Sequence, residues 1–164
     1  MFAREREMKP IVADWLRAQG LVVRSCETYS PGGYPDLVGC SLDPVMVDRR
    51  QRRHKGWRPL HTRLLAVELK LTRIAEALRQ AESYQQFFGE ALVAFPVNVV
   101  LRVPHRDGIG VLAVSPYGCR LLIPSVPRVR QQLQWSIESQ VEKFWRERKK
   151  LTGMALPEAQ EVKP

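Results

Sequence analysis

Cysteine and histidine are both scarce in this sequence. Cys26, Cys40 and Cys119 are scattered, as are His54, His61 and His105. No two cysteines form a CxxC pair, so a disulfide framework and a zinc centre are both disfavoured, and the thiols read as buried structural groups. No apolar run approaches the roughly 20 residues that a membrane-spanning helix needs. Residues Met1 to Pro10 are charged from Arg4 onward and hold no apolar signal region, so a cytoplasmic location is expected. Aromatics are only 8% of the chain, but a 45% hydrophobic content still provides for a folded core. At 164 residues, one domain with short appendages is expected.

What the chain has in excess is positive charge, +9 in all. It is not spread evenly. From Asp48 to Arg63 seven basic residues face one acid (+6), and from Arg128 to Lys150 seven face three (+4), which leaves the remainder at −1. The first patch holds Arg49, Arg50, Arg52, Arg53, Lys55 and Arg58 together with Trp57. Cations mixed with an aromatic suit phosphate contact and base stacking, so this loop is read as a nucleic-acid-binding segment. A solvated polar loop is the plainer alternative.

Residues from about Met8 to Gln19 read as a helix. Pro10 falls in its first turn, Ile11, Trp15 and Ala18 recur beside Val12 and Leu16, and Gly20 supplies the stop. Leu21 to Cys26 suits a strand, and Ser30-Pro31-Gly32-Gly33 is turn chemistry. Asp36 to Ser41 reads as a second strand. In the third, Arg63 to Leu71 (RLLAVELKL), alternation puts Leu65, Val67, Leu69 and Leu71 on one face and Ala66, Glu68 and Lys70 on the other. Thr72 is placed to cap a helix from Arg73 to Phe88, with Ile74, Leu78, Ala81, Gln85 and Phe88 as its apolar stripe. Ala91 to Phe95 follows as a buried strand, Pro96 to Val103 as strand or short helix, and Ile109–Val114 with Arg120–Ile123 as a hairpin. Ser125 and Pro127 open a long amphipathic helix with Leu133, Ile137, Val141 and Phe144 inward. The expected class is α/β (α+β), a mixed β-sheet flanked by helices in the order αβββαβ, then a hairpin and a long C-terminal helix. Residues 1–124 form the core with a basic insertion at 44–62, and residues 125–164 are the helix and tail of the same domain.

Two strands present acids in a way that suggests chemistry. Asp36 enters the second strand, and Glu68 stands on the third with Lys70 two residues later on the same face. Two carboxylates on adjacent strands, with the Leu69 carbonyl, make an oxygen-rich cage suited to Mg²⁺. A lysine beside it can orient water or offset developing charge. Each part alone is also the pattern of an ordinary cross-strand or surface ion pair.

Pro35-Asp36 and Glu68-Leu69-Lys70 together resemble the PD-(D/E)XK phosphodiesterase superfamily, whose fold is restriction-endonuclease-like. The resemblance implies that Asp36 and Glu68 bind a divalent metal, Mg²⁺ or Mn²⁺, and that Lys70 assists the attacking water. Members also carry a first-helix glutamate near the metal. Helical phase favours Glu5 over Glu7 for that role, with Pro10 leaving the phase open. Gln80-Ala-Glu-Ser-Tyr84 is similar to the QxxxY pattern of exonuclease-type members and sets Gln80 and Tyr84 on one helical face. A tyrosine tucked on the sheet with the glutamine exposed is the equal alternative. The early region, helix then VVRS then a glycine turn then Pro-Asp, is also similar to Holliday-junction resolvases. The gap between Asp36 and Glu68 is long for so compact a protein because the basic segment is inserted there, and no family signature follows Pro96.

The function these residues imply is a Mg²⁺-dependent nuclease that hydrolyses phosphodiester bonds of DNA. The competing reading is a catalytically weak or inactive nuclease-fold module that binds nucleic acid or a protein partner within a larger complex. The C-terminal helix, with Trp135 and Trp145 beside its apolar stripe, could serve such docking, a homodimer, or simply the cover of its own sheet.

Overall fold

Alternation in the strands and 3.6-residue periodicity in the helices build a sheet covered on both faces. The computed structural model describes residues 1–25, 33–41 and 63–128. A 3₁₀ turn (Glu5–Glu7) leads into α1 (Lys9–Ala18), then β1 (Val22–Ser25), β2 (Leu37–Cys40), β3 (Leu64–Leu69), α2 (Ile74–Phe88), β4 (Gly89–Pro96), α3 (Val97–Val100), β5 (Ile109–Ser115) and β6 (Gly118–Ile123). The basic insertion at 44–62, the turn at 30–32, Cys26 and the C-terminal helix beyond residue 128 lie outside the described residues.

The six strands hydrogen-bond in sequence order. β1–β2–β3 is an antiparallel meander, β3–β4–β5 is parallel, and β6 returns antiparallel along β5. Parallel pairing needs a crossover, and α2 supplies the one from β3 to β4. Fold class is therefore α+β, a mixed six-stranded sheet flanked by helices. No described helix is long and apolar enough to cross a membrane.

Each face of the sheet has its own core. α1 lays Val12, Ala13 and Leu16 against Leu37, Leu65, Val67, Leu69, Leu92 and Leu112. On the other face α2 packs Ala77, Leu78, Ala81, Tyr84 and Phe88 onto Val38, Ala66, Ala91, Val93 and Val111. β3 is buried along its whole length, which its near-continuous apolar sequence requires between two helical layers. Gly20 (φ +78) ends α1 in a conformation that side chains rarely adopt.

Three local expectations need correction, and one open alternative is resolved. Ala18 is exposed, and the buried stripe of α1 centres on Val12, Ala13 and Leu16. Thr72 does not cap α2: the cap position is Arg73, and the Thr72 carbonyl instead accepts from the Ile74 amide at 2.7 Å, one residue too early for its hydroxyl to serve the first turn. β4 is longer than its apolar run, because Gly89 and Glu90 pair with Leu64 and Leu65. The ambiguous stretch after Pro96 is a single helical turn.

Candidate active site

Register brings the two acids together. β2 and β3 pair Leu37 with Val67 and Val38 with Ala66, and continuing that ladder by one step sets Asp36 opposite Glu68. Glu68 points into the layer under α2, where it is only 2% exposed. Its Oε1 accepts from Lys70 Nζ at 2.6 Å and its Oε2 from the Tyr84 hydroxyl at 3.1 Å. Asp36, one residue before its strand begins, accepts from the Leu69 amide at 3.0 Å through Oδ2 and from Lys9 Nζ at 3.1 Å through Oδ1. Donors thus reach this end of the sheet from both layers, Lys9 on α1 and Tyr84 on α2.

Burial governs the electrostatics. Loss of water pushes the Glu68 carboxyl above its ordinary value, the Asp36 charge opposite adds to the rise, and the bonds from Lys70 and Tyr84 partly offset it. Burial by itself would lower the Lys70 ammonium. The Glu68 hydrogen bond and the charges of Glu68, Glu5 and Asp36 outweigh it, so Lys70 is held charged above its usual range. Two carboxylates and a lysine held charged share this end of the sheet, a charge pattern found at functional sites and in structural ion-pair networks alike.

Glu5 belongs to this cluster. It accepts from the Leu71 amide at 3.4 Å and lies 4.0 Å from Lys70 Nζ. Glu7 turns away, and its carboxylate accepts from the Ala3 amide at 2.8 Å. On α2, Gln80 and Tyr84 share a face, as their spacing implied. Tyr84 holds Glu68, while the Oε1 of Gln80 is buried without a hydrogen-bond partner among the described residues.

Sequence reasoning missed two members. Glu76 continues the Gln80–Tyr84 stripe one turn earlier and lies 4.0 Å from Lys70 Nζ. Lys9 follows Glu5 by four residues, and that spacing was the available signal for both. Arg49, Arg50, Arg52, Arg53, Lys55, Trp57 and Arg58 lie outside the described residues.

Hard oxygen donors are the right chemistry for Mg²⁺. Among the described residues no three His, Cys, Asp or Glu side chains form a preassembled ligand group. A Mg²⁺ site built from one or two carboxylates and several waters needs no such group, and the Asp36–Glu68 pair fits that requirement.

No protein-family model matches the chain, and no curated protein matches it. Among solved structures the chain is similar to the SPO1766 protein of unknown function from Silicibacter pomeroyi, with a TM-score of 0.60 at 14% identity over 96% of this chain and 99% of that one. At that identity the likeness is one of fold, a mixed sheet between helices.

Proposed function

We propose that this chain is a Mg²⁺-dependent phosphodiesterase of the PD-(D/E)XK type that hydrolyses DNA. The observation that carries the reading is the meeting of Asp36 and Glu68 at the end of the β2–β3 ladder, where Asp36 accepts from the Leu69 amide at 3.0 Å and Lys70 Nζ lies 2.6 Å from Glu68. The helix, three strands, helix, strand order supports a restriction-endonuclease-like core. Asp36 and Glu68 hold the ion, with the Leu69 carbonyl and Glu5 as further oxygen donors. Lys70 orients the attacking water and offsets charge on the phosphate. Tyr84 fixes the Glu68 carboxylate and so sets its angle to Asp36. When bound, Mg²⁺ supplies charge neutralisation at the phosphoryl oxygens and a more acidic water. The basic insertion at 44–62, which interrupts the sequence between the two acids, supplies further contacts to the phosphodiester backbone. A cytoplasmic location belongs to the same reading.

The test is cleavage of a labelled DNA with Mg²⁺ or Mn²⁺ by the full chain. Asp36→Ala and Lys70→Ala should each lower the rate by at least about 100-fold while sparing DNA binding. Equal rates in the variants would sink the assignment. One observation favours the binding-module reading: all four carboxylate oxygens of Asp36 and Glu68 already accept from this chain's own donors. Calorimetry decides between the two, since a module would bind DNA in a salt-sensitive manner without taking up Mg²⁺ or Mn²⁺.

A further inference from the structure

Between α1 and β1 runs an open cleft of about 450 Å³. Its lining includes three cations, Lys9, Arg17 and Arg24, and three apolar side chains, Ala13, Val23 and Leu37. Ala13 and Leu37 are buried, so the apolar lining lies deeper than the exposed Arg17. No carboxylate is among the described lining residues. This clustering is not a general bias, because outside the two basic segments the sequence carries a net −1.

The cleft borders Asp36. Leu37 lines it and directly follows Asp36, while Lys9 lines it and bonds Asp36 at 3.1 Å. Along α1, Lys9, Ala13 and Arg17 recur every four residues, so two long cations flank a small side chain. Lys9 and Arg17 are about 12 Å apart along the helix axis, close to the rise of three or four nucleotides in one strand of a duplex at about 3.4 Å each. Arg17 pairs at 2.6 Å with Asp14, whose side chain is 74% exposed. An exposed pair of that kind is readily exchanged for a phosphate, to which a guanidinium offers two parallel donors.

We propose that this cleft carries the phosphodiester backbone of a DNA strand to the Asp36–Glu68 pair, with Lys9, Arg17 and Arg24 as its phosphate contacts. The proposal rests on the nuclease reading only for placing DNA at Asp36. Lys9 then has two duties, as counter-ion to Asp36 and as the phosphate contact nearest the scissile bond.

Fluorescence anisotropy of a short labelled oligonucleotide, single-stranded and duplex, tests this with the full chain in EDTA across a salt series. The double variant Arg17→Glu/Arg24→Glu should weaken binding at least about tenfold and flatten the slope of log K against log salt by about 1.4–1.8, since each lost phosphate contact removes roughly 0.7–0.9. Should that variant melt early, Arg17→Gln/Arg24→Gln carries the same comparison on the slope. Affinity and slope equal to the parent chain, or displacement of the DNA by inorganic phosphate at stoichiometric amounts, would overturn the cleft. DNA cleavage that survives with an unchanged slope removes the cleft and leaves the nuclease reading. Cleft-dependent binding without cleavage under Mg²⁺ does the reverse.

Discussion

Glu68 and Glu90 are buried to nearly the same degree, on neighbouring parallel strands and toward opposite ends of the sheet. Glu90 sits at the start of β4 and is fully answered: Arg63 donates to both its oxygens at 2.7 and 2.9 Å, and the Ser125 hydroxyl adds a third bond at 2.7 Å. In return the Glu90 hydrogen bonds hold Arg63 more firmly charged than usual. Glu68, near the end of β3, has Lys70 and Tyr84 as donors but also a second carboxylate, Asp36, facing it across the ladder. A structural ion pair has no use for that second acid, which only raises the cost of burying the first. The glutamines of α2 divide in the same way. Gln85 donates to the Gly108 and Val126 carbonyls at 3.0 and 3.3 Å and ties the chain after β6 to the start of β5, whereas the buried Gln80 oxygen has no partner among the described residues. At one end a lone buried acid is matched by an arginine and a hydroxyl, and at the other two acids meet beside one lysine.

Removing the two glutamate charges should give the largest contrast. Glu68→Gln should reduce metal-dependent cleavage by on the order of 100-fold or more, yet lower the thermal midpoint in EDTA less than Glu90→Gln does. Relief of the Asp36 repulsion offsets part of the lost Lys70 pairing, and Glu5 and Glu76 remain 4.0 Å from Lys70. Glu90→Gln should keep cleavage and lower stability by about 1–2 kcal/mol, a figure that allows for solvent around the half-exposed Arg63. Similar losses of stability in both variants would erase the distinction between the ends.

A smaller difference is expected between the glutamines. Gln85→Leu strands two carbonyls and should cost about 1–2 kcal/mol in urea unfolding, while Gln80→Leu should be neutral or mildly stabilising because it removes an unpaired polar atom. The reverse order would mean that Gln80 carries a structural bond. Smallest of all is a chemical reporter at the site end, where Cys119 pairs with Val114 in the β5–β6 ladder. Burial pushes its thiol up to about 11. Mapped iodoacetamide labelling at pH 8 should therefore run about a hundredfold slower there than at an ordinary thiol and recover as pH rises toward 11. Rapid labelling at pH 8 would show that this end opens in solution.

Much of the fold was legible because it is periodic. RLLAVELKL alternates along β3, and the spacing from Leu78 through Ala81 and Gln85 to Phe88 traces the inner face of α2. Glu68 and Lys70 could be placed on one face for the same reason. What the pattern could not supply was pairing over distance. Lys9 meets Asp36 across 27 positions of sequence, and Arg63 meets Glu90 across another 27. Nothing local selects those partners from many charges. Four-residue spacing could put Lys9 on the face of Glu5 and Glu76 on that of Gln80, but their contacts with Asp36 and Lys70, and the early start of β4, emerge only with the tertiary structure. Thr72 failed as a cap for a related reason: Arg73 takes a non-helical conformation and α2 starts one residue late.

The sequence distances that join the site also bear on when it can exist. Asp36 bonds the Leu69 amide 33 residues away, and Glu5 bonds the Leu71 amide 66 residues away. Such closures carry a large loop entropy and belong to the slow, non-local part of folding. A nascent or partly folded chain carries every acid and lysine named above without bringing them together. If the site is catalytic, hydrolytic capacity arrives only with the finished domain, and the backbone itself times its release.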